Sequence, residues 1–241
     1  MMQKLKPSSD SILRAMTDDG AFRVITAQCT ETVAGVIAAQ DAKGETARHL
    51  GELVIGSMLI RETMSPGLRV QGILKRKGKG YLLGDSHPSG QTRGLISGEA
   101  QSQFTLDGAV LQMVRTLHDG RVQQGVVTVP EGGNVSAALM AYMQDSEQST
   151  TMIVAETVLE GGQLVAAGGY LLQLLPGVDI GMLAIMTERL EDFRSITPLL
   201  RNSEMSPKFL ADELLYGMGY TELGHGEICY GCWCSRTNVL G

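Results

Sequence analysis

Positive charge is in short supply in this chain. Lys and Arg total 20 against 26 Asp and Glu, a net charge of −6 over 241 residues. A broad nucleic-acid surface needs clustered cations, so the balance argues against nucleic-acid partners and favours solubility. A signal peptide is also missing, because residues 1–20, "MMQKLKPSSDSILRAMTDDG", hold no continuous apolar core. Residues 161–178, "GGQLVAAGGYLLQLLPGV", carry no charge, but glycines, two glutamines and a proline interrupt them. They read as a buried strand followed by a turn, not as a membrane span. No HExxH, no GxSxG and no internal repeat occurs. "GILKRKGKG" (72–80) has five residues between its first Gly and the Gly-Lys pair, then Gly80, where a phosphate loop needs four and then Ser or Thr. Lys75, Arg76, Lys77 and Lys79 are read instead as coating a solvated hairpin. The carboxylates are scattered, with no spacing suited to acid/base work, and the chain is not expected to be an enzyme.

What remains is an ordinary globular balance, 43% hydrophobic and 19% charged residues. A chain of this length buries roughly 70–75% of its unfolded surface and needs no staples. "AFRVITAQ" (21–28) predicts a strand. "TETVAGVIAAQ" (30–40) predicts a helix with a Thr cap. "ETARHLGELVIGSMLIRETM" (45–64) predicts a longer helix from the spacing of Ala47, Leu50, Leu53, Val54 and Met58. Strand-like runs follow at "GLRVQGILK", "GYLLGD", "RGLIS" and "VQQGVVTV", separated by Gly-rich turns. A helix is expected at 134–148, with Asn134 as its cap, and strands at 151–159 and 163–176. The helices do not alternate regularly with strands, so a doubly wound parallel sheet is not expected. Residues 1–178 are read as an α+β core domain built mainly on antiparallel strands. Residues 179–220 are read as a helical linker, with helices at 179–193 and 206–219, and residues 221–241 as a short, partial zinc-binding or redox module. Residues 187–227 hold eight acidic and four basic side chains and a thin apolar face, so low local stability is expected there.

The chain has four cysteines, and three of them, Cys229, Cys232 and Cys234, fall within six residues of "EICYGCWCSRTNVLG" (227–241). With no export signal the expected compartment is the reducing cytoplasm, where clustered cysteines read as metal-binding or redox-active. Thiolates are soft, charged zinc ligands. Cys232 and Cys234 form a CxC, Cys229 and Cys232 a CxxC, and His225 lies four residues upstream as a further candidate ligand. A redox-active CxxC and an idle tail are the competing readings. Cys29, alone in an apolar stretch, reads as a small buried hydrophobe. His49 reads as structural, and His87 lies in a turn. The thirteen methionines read as core filling.

The order of these features resembles the 33-kilodalton heat-shock protein family of redox-regulated holdase chaperones. The resemblance rests on "QGVVTVPEGGNVSAALMAYMQDSEQSTTMIVAET" (124–157), with Tyr142, Ser146, Glu147 and Gln148 in register. It continues through Gly168, Gly169, Leu171, Gln173 and Pro176 of "AAGGYLLQLLP", through "QTRGLIS" (91–97), and through "CWCSR" (232–236). It implies an ATP-independent chaperone for unfolded client proteins, switched by cysteine oxidation with zinc release and dimeric when oxidised. It also implies that Cys232 and Cys234 are zinc thiolates when reduced and a disulfide when oxidised. The family's later CxxC has no counterpart before Gly241. A truncated version of the module is therefore expected, with Cys229 and His225 as the substitute ligands otherwise. A thiol-disulfide oxidoreductase using Cys229 and Cys232, and a zinc-dependent interaction module without a switch, are the alternatives.

Overall fold

The computed structural model describes residues 9–65 and 67–231. Ser11–Thr17 (β1) and Phe22–Gln28 (β2) form an antiparallel hairpin. Its turn is closed by Thr17 Oγ1, which accepts from Phe22 N at 3.0 Å, and by Asp19 Oδ1, which accepts from Ala21 N at 2.9 Å. Two helices follow, Thr30–Gln40 (α1) and Gly44–Glu62 (α2). Thr30 does not cap α1. The buried carboxylate of Asp10, on the segment leading into β1, takes that role by accepting from Thr32 N at 2.6 Å and Glu31 N at 3.3 Å.

The next strands are Arg69–Arg76 (β3), Gly80–Ser86 (β4), Gln91–Ser97 (β5), Val110–Thr116 (β6) and Val122–Thr128 (β7). Val135–Asp145 (α3) is capped by Asn134, whose Oδ1 accepts from Ala137 N at 2.9 Å. Thr151–Glu160 (β8) and Gln163–Leu174 (β9) form a second long hairpin, turning on Gly161 and Gly162, both at positive φ. Ile180–Asp192 (α4), Thr197–Leu200 (α5) and Pro207–Leu214 (α6) come next, and then Tyr220–Glu227 (β10) and Cys229–Tyr230 (β11).

The strands make two sheets, an α+β arrangement in which nearly every pairing is antiparallel. One has the order β10-β1-β2-β9-β8 and the other β11-β5-β4-β3-β6-β7. The uncharged run at 161–178 is the turn and body of β9, hydrogen-bonded to both β2 and β8. Burial on both faces explains its near-continuous apolar character. Among the described residues no helix is long and apolar enough to cross a membrane.

Helix α2 lies between the sheets. Its Leu50, Leu53, Val54, Ile55, Met58 and Leu59 are all fully buried, packed in one cluster with Ile25, Ile153 and Leu171 of the first sheet and Val70, Leu82 and Leu111 of the second. Such side chains each contribute roughly 1.5–3 kcal/mol when removed from water. Gly84 of β4 lets the layers approach: a Cβ there would sit 3.0 Å from the backbone of Leu53 and Val54. On the opposite face of the first sheet a second apolar cluster joins Phe22, Val24, Val154, Val158, Tyr170 and Leu172 to Met186, Ile196, Leu200, Leu210 and Leu214 of the α4–α6 segment.

Further features differ from the sequence reading. The last linker helix stops at Leu214, followed by turns through Gly217 at positive φ. Residues 220–227 form a strand, paired along its length with β1. Strands β1 and β6 also went unread.

Candidate functional site

Two regions bear on function: the base of the cysteine tail, and the face of the first sheet covered by α4–α6. The tail is built from β10 onward. After β10 leaves β1, Ile228 is fully buried in the main core, and its N donates to Asp10 O at 3.3 Å. The chain then changes sheets. Cys229 and Tyr230 run parallel to β5, opposite Gln91 and Thr92. Cys229 N donates to Gly90 O at 3.2 Å and Gly231 N to Thr92 O at 3.0 Å. The Tyr230 ring presses on α1 at Gly35, where a Cβ would lie 2.7 Å from it, so glycine is required there. The approach to Cys232 is therefore clamped on the edge of the second sheet.

The predicted site residues fall unequally on this scaffold. Cys232 and Cys234 lie outside the described residues. Cys229 is half-buried and free. Burial, and then the nearby charges of Glu227 and Asp10, push its thiol pKa up. A catalytic dithiol needs the reverse, a thiol pKa lowered by positive surroundings, so the setting of Cys229 does not favour the oxidoreductase reading. His225 stands exposed on β10, with Nε2 2.8 Å from Glu222 Oε2. It belongs to a strand of the first sheet and Cys229 to one of the second, and the described structure brings them into no common site. Among the described residues no group of three or more His, Cys, Asp or Glu is arranged to hold a metal. Cys29 is fully buried and its thiol pKa is pushed well up by desolvation, as a buried hydrophobe's would be. His87 Nδ1 lies 2.8 Å from Ser89 Oγ and also accepts from Ser89 N at 3.2 Å. This is a bond within the β4–β5 turn.

The covered sheet face is held by apolar burial and a few polar anchors. Glu156 of β8 accepts from Ile196 N at 3.1 Å and from Thr197 Oγ1 at 2.7 Å, which fixes the start of α5. Tyr170 of β9 donates to Phe193 O at 2.9 Å, and Thr26 of β2 donates to Pro207 O at 2.7 Å. Burial pushes the Tyr170 hydroxyl pKa far up, so it stays a donor. Docking is graded along the segment. Met186 is the fully buried residue of α4, and Ile180 and Ile185 are 83% and 50% exposed. Helix α6 buries Leu210, Ala211 and Leu214 completely. Sequence reasoning did not single out these anchors. The lone Glu156 inside the apolar run "TMIVAETVL" was the available signal, since a carboxylate set among buried apolar neighbours needs partners.

Comparison with known proteins agrees with this architecture. The family described as Hsp33 protein matches residues 10–241. A 33 kDa chaperonin of Syntrophotalea carbinolica is 29% identical over 245 residues, covering 96% of this chain and 84% of that protein. One from Thermus thermophilus is 26% identical, covering 95% and 73% respectively. The crystal structure of the 33 kDa chaperonin, a heat shock protein 33 homolog, of Thermotoga maritima superposes with a TM-score of 0.81 at 18% identity, covering 96% of this chain and 83% of that one.

Proposed function

The chain belongs to the Hsp33 family, and on that premise we propose that it is a redox-switched holdase. That it is a chaperone follows from the family and from the name its relatives share. The finer reading is that it binds unfolded client proteins without ATP and does so when oxidised. The observation that carries it is the α4–α6 segment lying on an apolar sheet face. Phe22, Val24, Val154, Tyr170 and Leu172 are buried there chiefly by a segment whose first helix is barely docked. Release of that segment would present the face to water, and such a surface takes up exposed apolar stretches of other chains.

Cys232 and Cys234 are the thiols assigned to the switch. Hydrogen peroxide would take two electrons from the two sulfurs, forming an S–S bond and leaving as two waters, with the two protons drawn from the thiols, or from solvent where the sulfurs are thiolates. In the reduced state they are proposed as zinc thiolates. Cys229 and His225, which lie on strands of different sheets, are the further ligands proposed for that site, and no step here depends on the metal. The tail is tied to the covering segment through β10, which follows α6 after the turn at Gly217 and leads to the clamp at Ile228. The compartment is proposed to be the cytoplasm and the oxidised form a homodimer.

The test is light scattering from a thermally denatured client, with reduced and peroxide-treated protein. Oxidised protein is expected to suppress aggregation and reduced protein to do so weakly, with the difference lost in Cys232→Ser/Cys234→Ser. Equal failure of both redox forms would refute the reading.

A further inference from the structure

Strand β7 closes one end of the second sheet, and among the described residues β6 is its single partner. Val129 N donates to Ala109 O at 3.0 Å, and Leu117 N to Arg121 O at 2.8 Å. These bonds bracket the β6–β7 ladder and place the odd-numbered residues of β7 in its bonded pairs. Val122, Gln124, Val126 and Thr128 therefore turn their N–H and C=O groups to the outer edge. Their side chains share the face of the sheet turned away from α3, and Val122 and Val126 are 58% and 57% exposed.

Natural sheets protect such edges with charges, prolines, bulges or short length. Val122–Thr128 has no charged residue and no proline, and its register with β6 runs without a bulge. The other sheet ends differ. Edge β10 carries Glu222, His225 and Glu227, edge β8 carries Glu156 and Glu160, and β11 is two residues long. An undefended seven-residue edge risks aggregation, which makes its presence in a chaperone informative.

We propose that β7 binds an extended segment of an unfolded client by strand addition, as a weak grip available while α4–α6 remain docked. This rests on the chaperone reading above and adds the mode of contact. The chemistry that recognises the partner is the alternating N–H and C=O row, which any extended backbone satisfies, so recognition is sequence-tolerant. Uncharged, β-branched segments fit best, because Val122, Gln124, Val126 and Thr128 present a neutral row for cross-strand pairing. A second copy is the weaker candidate. Seven residues make an edge roughly 23 Å long. Pairing two such edges buries well under the roughly 1,000 Å² of a stable interface.

The experiment uses the full reduced chain and a fluorescein-labelled, end-capped nonapeptide of alternating Thr and Val, read by anisotropy. Val126→Pro deletes an outward N–H without touching the β6 ladder, a place where proline is tolerated. It is expected to weaken binding about tenfold, while Val126→Ala does not. The same peptide N-methylated at alternate residues is expected to bind the unaltered protein about tenfold more weakly, which decides the matter if the proline variant fails to fold. Equal binding of methylated and unmethylated peptide would overturn the proposal. So would a concentration-dependent dimer that Val126→Pro abolishes. If either occurs while oxidised protein still suppresses client aggregation, strand addition falls and the chaperone reading stands. If aggregation is never suppressed, the chaperone reading falls and this proposal with it.

Discussion

Helix α6 offers the sharpest test of the covering segment. Leu210 is fully buried in the apolar cluster between α6 and the first sheet, alongside Phe22, Val24 and Leu214. Replacing it with alanine removes three methyl-sized groups and leaves a cavity, at a cost of about 3 kcal/mol within a usual range of roughly 2–5. That cost falls on the docked state alone if α4–α6 can lift without unfolding the sheets. At about 1.4 kcal/mol per factor of ten, the open population rises about a hundredfold. Leu210→Ala is thus expected to show faster amide exchange across Pro207–Leu214, stronger binding of an apolar dye, and client protection without oxidant. Ile185→Ala on α4, at a half-exposed position, is expected to change stability by less than about 0.5 kcal/mol. The reasoning is refuted if α6 amides exchange only together with those of α2. In that case the segment opens by global unfolding and is not a separate cover. It also fails if α6 opens locally and the client still aggregates.

Three further outcomes follow from the described geometry. Gly169→Ala is expected to destabilise the fold by about 1–3 kcal/mol in urea unfolding, because its Cβ would lie 2.5 Å from Val154 O and 2.9 Å from Ile55 Cγ2. Cys229 should react with iodoacetamide at pH 7.5 more slowly than a free cysteine peptide, with a rate still climbing above pH 9, since burial raises its thiol pKa; a reaction as fast as the peptide's at neutral pH would contradict this. Burial likewise raises the Asp10 carboxyl pKa above its ordinary value of 3.8. The folded state then holds the proton more tightly than the unfolded one, so the group's contribution is present at low pH and lost as pH rises from about 4 through the folded value. The stability of the unaltered chain relative to Asp10→Asn is expected to fall over that window in chemical denaturation, and a flat difference would be inconsistent.

Legibility in the sequence followed locality. Helix α2 was readable because its apolar spacing is dense and its burial nearly all-round, and α3 because Asn134 both starts and caps it. The β8–β9 hairpin was readable because Gly161 and Gly162 punctuate two apolar runs. Strand β10 was not. "YTELGHGE" is polar, holds two glycines and has no fully buried residue, so neither propensity nor alternation marks it. It is a strand because β1 lies beside it, some 200 residues earlier in the chain. The cap of α1 hid in the same way. Thr30 is a sound local candidate, but Asp10 reaches the helix end from outside the local sequence. For the site, the crowding of Cys229, Cys232 and Cys234 was plain in the sequence. The clamp that holds Cys229 on β5, and the raised pKa this brings, depends on a pairing that no local pattern encodes.

The same non-local pairings suggest an order of release under the proposed switch. Helix α4 buries one residue completely and presents Ile180 and Ile185 to solvent, so it should lift first. Helices α5 and α6 are held by Glu156, Thr26 and a run of fully buried leucines, and should follow. Strand β10 is sealed at its far end by Ile228 and should part from β1 last unless the tail itself is disturbed. Under the proposed switch a change at Cys232 and Cys234 would act from that far end, since Cys232 follows Gly231, whose N donates to Thr92 O. It would loosen the end of the segment sealed by Ile228, opposite the sparsely buried α4. A switch placed there would have leverage because α4 buries little and the β10 clamp is sealed by Ile228. Exchange rates graded from α4 through α6 to β10 in reduced protein, and levelled after oxidation, are the expected signature. A clamp that stays protected after oxidation would place the switch elsewhere.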